Sequence, residues 1–328
     1  LARAAAWVGA RASREGLPAP LPYPVRLGHW PAAIGILAFA WVELVYSSGD
    51  DPSTLAILAL AYAALQMVGM SLYGIDAWTR NGDAFGVYFG LFARMSPLRW
   101  ERGAVFARRP LAGLSTLTAM PGTVALLAVM IGTTSFDGFG EGPTWGSIAP
   151  ELTSFFTDAG LNQARALELA FTVGLIGAVL AVGGLYRLGV AGMRWAGEKR
   201  GAGELSGAFV HSLVPIALAY VVAHYFSLLA YQGQAIAYLA SDPLGDGGNL
   251  LGTASATIDY AWVSATAIWY VQVGALVLGH VAGLVLAHDR ALVLYEGSRA
   301  AARSQYWMLA VMIAFTSLGL WLLSSANE

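Results

Sequence analysis

The chain has 328 residues, 57 % of them hydrophobic and 12 % charged, with a formal net charge of −2. That balance is too apolar for a water-soluble domain of this size and predicts a polytopic membrane protein, in contact with the lipid bilayer and with no nucleic-acid partner. Cysteine is absent, which excludes disulfides and thiolate metal sites.

Residues 1–29 begin with Leu, not Met, and carry Arg3, Arg11, Arg14 and Arg26. They read as a cytoplasmic N-terminal segment that continues an upstream part of a longer chain. From residue 30 to 328 a single transmembrane domain is expected. Apolar runs near the roughly 20 residues needed to cross a bilayer fall at about 30–48, 55–75, 117–134, 166–187, 207–231, 261–288 and 305–325. Backbone polar groups in lipid must bond internally, and these runs are continuous, so the expected fold is an all-α transmembrane helical bundle of about seven spans. Two connections look structured. Residues 82–98, "GDAFGVYFGLFARMSPL", are too short and too polar at their ends to cross, and read as interfacial or re-entrant. Residues 135–165, with "SFDGFGEGPTWGSIAPELTSFF", read as a lid or interfacial loop on the outer side.

Every Lys and Arg except Arg165 falls on one side of this topology, which places the N-terminus in the cytoplasm and the C-terminus outside. The opposite connections carry Asp50, Asp51, Asp137, Glu141, Glu151, Asp158, Asp242, Asp246 and Asp259. Such a face attracts cations.

Ionisable groups inside the spans form two tiers by depth. The inner one holds His211 and His280, and the outer one holds His224, Gln272 and, thirteen residues into the first span, Glu43. Tyr220, His224, Ser227 and Tyr231 share one face of the fifth span, while Gly279 and Gly283 form a small-residue motif on the sixth that admits a close neighbour. Side chains that hydrocarbon penalises are tolerated when they face a cavity, a partner or a ligand. Imidazole beside carboxylate suits zinc, copper or iron, giving His224, Glu43 and Asp242 as metal ligands, Glu43 and Asp259 as catalytic groups, and Trp269, Tyr270 and Gln272 as substrate contacts. The alternative is structural: His224 bonded to Gln272 or a Tyr, and His211 reaching the interface. A single haem held by His211 and His280 is a further option. The one lysine, Lys199, lies in a connection, so no buried amine is available for a retinal Schiff base.

The stretches "HSLVPIALAYVVAHYFSLLAYQGQAIAYLASDPLG", "IDYAWVSATAIWYVQVGALVLGHVAGLVLAHDRALVLY" and "RSQYWMLAVMIAFTSLGLWLLSSAN" resemble a family of bacterial polytopic membrane proteins known as fenitrothion hydrolases. "YGIDAWTRNGDAFGVYFGLFARMSPL", "RPLAGL" and "IGTTSFDGF" extend the likeness over nearly all of the chain from about residue 21. The resemblance implies a bacterial cytoplasmic-membrane protein that hydrolyses an organophosphate triester, chemistry that calls for a metal-bound hydroxide. No H-E-x-x-H or G-x-S-x-G motif accompanies it. Three functions therefore stand side by side: a metal-dependent membrane hydrolase, a non-enzymatic membrane subunit or cation-handling transporter, and a redox subunit binding haem or quinone.

Overall fold

A computed structural model describes residues 19–101, 103–195 and 200–325. In chain order the helices are α1 (Trp30–Leu44), α2 (Pro52–Tyr73), α3 (Ile75–Asn81), α4 (Ala84–Ala93), α5 (Ala112–Ser115), α6 (Thr123–Gly140), α7 (Pro143–Asp158), α8 (Gln163–Trp195), α9 (Ala202–Phe209), α10 (Leu213–Tyr231), α11 (Ile236–Ser241), α12 (Ala265–Leu294) and α13 (Ser298–Ser325). Short 3₁₀ turns at Val210–Ser212 and Gln232–Ala235 join α9, α10 and α11 into one nearly continuous rod. Among the described residues, five stretches are long and apolar enough to cross a membrane: Pro52–Tyr73, Thr123–Gly140, Gln163–Arg194, Ala202–Ser241 and Ala265–Leu294.

That is fewer than the seven runs read from hydropathy. The first run, 30–48, yields a helix of only 15 residues, because the chain turns at Val45 and Tyr46, whose N–H groups both donate to the Trp41 carbonyl. At about 1.5 Å per residue α1 is shorter than the hydrocarbon core. The last run lies within α13, which starts at Ser298. The fold is also not purely helical. Strands β1 (Leu98–Glu101) and β2 (Ala104–Ala107) form an antiparallel hairpin after α4.

The expected loop 135–165 is two helices. α6 runs on to Gly140, and Thr133, Thr134 and Ser135 turn their hydroxyls onto the carbonyls of Val129, Met130 and Ile131, one helical turn back. Their polar groups are thus satisfied within the helix. α7 then begins with Pro143 in its first turn and buries Trp145, Ala149 and Thr153 at a four-residue spacing.

The segment 82–98 falls on α4 and β1. Upstream of it the chain reverses at Gly74, whose φ of 84° an L side chain rarely adopts, and α3 lies back along α2. Trp78 seats its indole on Gly69 and donates from Nε1 to Gln66 Oε1 at 2.7 Å. Asp83, between α3 and α4, accepts from the Tyr62 hydroxyl midway along α2. α4 then packs on α1, Ala84 against Gly35 and Phe85 against Phe39. α3 and α4 are therefore a helical hairpin folded back into the bundle.

The most deeply buried helix is α6, with Leu126, Leu127, Met130, Ile131 and Phe136 enclosed. α10 packs against it and in turn meets α12 at the small-residue motif: a Cβ on Gly279 would collide with Ala219, and one on Gly283 would stand 2.7 Å from the Ser212 carbonyl oxygen. The sequence expectation of a close approach there is met. One end of the bundle gathers residues 28–30, 113–121, 207–211 and 286–290, with Arg94 and Arg290 bonded to the Gly113 and Ser115 carbonyls. The other end joins Ser47 to Glu168 and Trp41 to Thr172.

Candidate functional site

The acidic end of the bundle holds a histidine–carboxylate pair that spans two helices. His224 Nε2 on α10 lies 2.7 Å from Asp137 Oδ2 on α6, with the two side chains 25 % and 16 % exposed. The Tyr225 hydroxyl reaches the same carboxylate oxygen at 3.4 Å. α6 places Asp137 one turn before its C-terminal residues, so Glu141 follows on the same face. Glu141 and Glu43 both lie within electrostatic reach of His224, and Glu43 also of Asp137 and Tyr225. Gly138 keeps α6 bare beside the imidazole; a Cβ there would sit 3.7 Å from Nδ1. One imidazole thus touches one carboxylate, Asp137, with two more, Glu43 on α1 and Glu141 at the cap of α6, within electrostatic reach. Glu43 stands exposed at the bundle surface, so the cluster is open on that side.

The sequence placed His224 and Glu43 at matching depth, and they share this cluster. It assigned Asp137 to a loop, and Asp137 is the residue His224 touches. The i, i+4 spacing of Asp137 and Glu141, continuing a helix whose hydroxyls bond backwards, was the signal that a span reached this far.

Among the described residues no three His, Asp or Glu side chains come together in a way that could hold a metal ion. Asp242, expected as a ligand, is committed to its own loop: Oδ1 accepts from the Asp246 N–H at 3.0 Å and Oδ2 from the Gly247 N–H at 2.9 Å. Those backbone donors, Gly247 foremost, hold its carboxyl below the usual carboxylate range. Asp259, expected to be catalytic, accepts from the Ala261 N–H and exchanges backbone bonds with the Gln234 amide. It staples the loop to the end of the α10 rod. Neither carboxylate joins His224, because each finds backbone donors within its own connection.

Of the expected substrate contacts, Gln272 is buried and donates to the Ala223 carbonyl at 2.8 Å, a bond between α12 and α10. Trp269 and Tyr270 are exposed on the outer surface of α12 and stack edge-on with each other. The three therefore do not converge on one space.

His211 and His280 are both buried, each with one ring nitrogen lacking a partner, Nδ1 and Nε2 respectively. His211 meets the backbone of Ala208 and Leu286, whereas His280 bonds its own helix at the Leu276 carbonyl and lies edge-on to Tyr220. Along α12 these levels differ by six residues, about 9 Å. Two imidazoles on one iron must stand at the same level, and the glycine-lined contact of α10 with α12 leaves no width for a porphyrin. The residues do not fit a haem bridging them.

Comparison of the chain with protein-family models, with curated proteins and with solved structures returns no match.

Proposed function

We propose that this is a multi-pass membrane protein that takes up a small cation, foremost a proton, at the His224–Asp137 pair. In the orientation set by the basic residues, the pair faces the outer side of a bacterial cytoplasmic membrane, with α13 as a further crossing and the shorter α1 packed beside the spans. The observation that carries the reading is the 2.7 Å contact between an imidazole and a carboxylate on two different helices, with further carboxylates in reach. Intramembrane ionisable groups facing one another mark ion pathways and proton relays. Uptake places a proton on the imidazole, where the Asp137 carboxylate and then Glu141 and Glu43 stabilise the charge; release returns it to water on the open side at Glu43. The Tyr62–Asp83 pair at the tip of the α3–α4 hairpin supplies a second polar station, inserted from the basic end of the bundle.

Proteoliposomes carrying a pH-sensitive dye test this under an imposed potential. Proton flux is expected with the native chain and not with Asp137→Asn, provided the variant keeps its helical circular dichroism. Equal flux from both proteins, or none from the native one under any cation gradient, would overturn the proposal.

A second reading, hydrolysis of an apolar ester as the resemblance implies, is favoured by one observation: a carboxylate bonded to an imidazole fixes the ring's orientation, as general-base catalysis requires. Among the described residues, no three metal-ligating side chains assemble at the pair. Turnover of a model phosphotriester, lost in His224→Ala, distinguishes this reading from the first.

A further inference from the structure

The hairpin β1–β2 is amphipathic, and nothing among the described residues covers its apolar face. Its register pairs Leu98 with Ala107 and Trp100 with Val105, so these four share one face, whereas Arg99, Glu101, Ala104 and Phe106 share the other. The polar face is internally satisfied: Arg99 Nη2 lies 2.7 Å from Glu101 Oε2, and its guanidinium sits 6.0 Å from the Phe106 ring. Leu98, Trp100 and Val105 are 59 %, 73 % and 55 % exposed. A lone two-stranded hairpin is marginal in water. This one is nevertheless braced firmly at its base. Arg108 donates from Nη2 to Ala93 O at 2.8 Å, from Nε to Ser96 O at 2.7 Å and from its backbone N–H to Pro97 O at 2.7 Å. One residue thereby closes the C-terminal turn of α4 and fixes the strand that follows it.

We propose that the Leu98–Trp100–Val105 face inserts into the headgroup and acyl boundary of the membrane leaflet at the basic end of the bundle, with anionic phospholipid as its partner. The hairpin leaves the bundle where Arg94 and Arg290 bond the 113–115 segment, at the end where the long apolar helices emerge. A bilayer surface therefore lies beside it, and the inference rests on the membrane-spanning reading but not on cation uptake. Tryptophan favours the interface. The flanking Arg99 and Arg109 are exposed, and the sole carboxylate in the hairpin, Glu101, is already paired with Arg99, which leaves Arg109 and the rest of the basic face to meet negative headgroups.

Because the chain has no cysteine, single nitroxide labels can be placed without other changes. Val105→Cys reports the apolar face, Ala104→Cys the polar one, and Val68→Cys on α2 a lipid-facing span. Each is read in nanodiscs of mixed phosphatidylglycerol and phosphatidylcholine by collision with oxygen against a water-soluble nickel chelate. The oxygen preference at residue 105 is expected to be several-fold above that at residue 104 and to weaken in discs of phosphatidylcholine alone. A water-like signal at 105 beside a lipid-like signal at 68 would overturn the proposal while leaving the spans intact. Shielding of 105 from both reagents, or dipolar coupling between copies, would assign the face to a protein partner and would equally overturn it. A water-like signal at 68 would instead sink the membrane-spanning reading itself.

Discussion

His224 and Asp137 hold one another by a hydrogen bond, joined by charge once the imidazole is protonated, and their partial burial sets what each is worth. Asp137→Leu removes the acceptor bonded to the His224 Nε2 and is expected to cost about 1–3 kcal/mol, read as thermal unfolding in detergent. Asp137→Asn keeps an oxygen in place and should cost less, so a larger loss of flux than of stability would mark the pair as functional. Gln272→Leu offers a contrast. It removes a bond between helices whose like in membranes averages about 0.6 kcal/mol, and it should leave flux and any ester turnover unchanged. At Asp242 the pH dependence has a definite sign. A carboxylate whose folded pKa is depressed contributes stability above its unfolded value and loses it as pH falls through the folded one. The 242–254 loop should accordingly become more open to protease below the ordinary carboxylate range, and Asp242→Ala should show that sensitivity already at neutral pH.

Elements are locked by close approach more than by polar bonds. Gly279→Leu forces α10 and α12 apart where Ala219 and the Pro215 carbonyl stand, and overpacking of this kind costs typically about 1–3 kcal/mol. Ala219→Gly should recover part of that loss, measurable as a shift in the unfolding midpoint of the double variant. The α3–α4 hairpin depends instead on Trp78. Trp78→Phe keeps the ring over Gly69 and Gly82 but strands the Gln66 carbonyl oxygen, a loss of about 1–3 kcal/mol that falls on this element first. Local proteolysis in the 75–93 segment, with the remaining helices protected, is the expected readout.

On the scale of the molecule, the arrangement of charge dictates how the bundle sits in a membrane. Single cysteines at Ser48 and Ala254 should react with an impermeant maleimide applied to intact cells, and one at Ser298 should not. Labelling of Ser298 without Ser48 would reverse the orientation and remove the outward-facing cluster.

Hydropathy, charge bias and the Gly279–Gly283 spacing were enough to read a multi-pass helical membrane protein, the close α10–α12 contact and the common depth of His224 and Glu43. These follow from chemistry carried along one helix, where spacing alone fixes which face a side chain occupies. What the tertiary structure decided was every partnership: Asp137 rather than Gln272 on His224, Asp242 and Asp259 turned into their own loops, His211 and His280 set at different levels, and a hairpin face that no described residue covers. α6 runs past the point where apolar residues thin out, its hydroxyls bonded to its own backbone. Which groups then meet depends on how far each helix runs and how closely its neighbours pack, and those distances are set between segments remote in the chain.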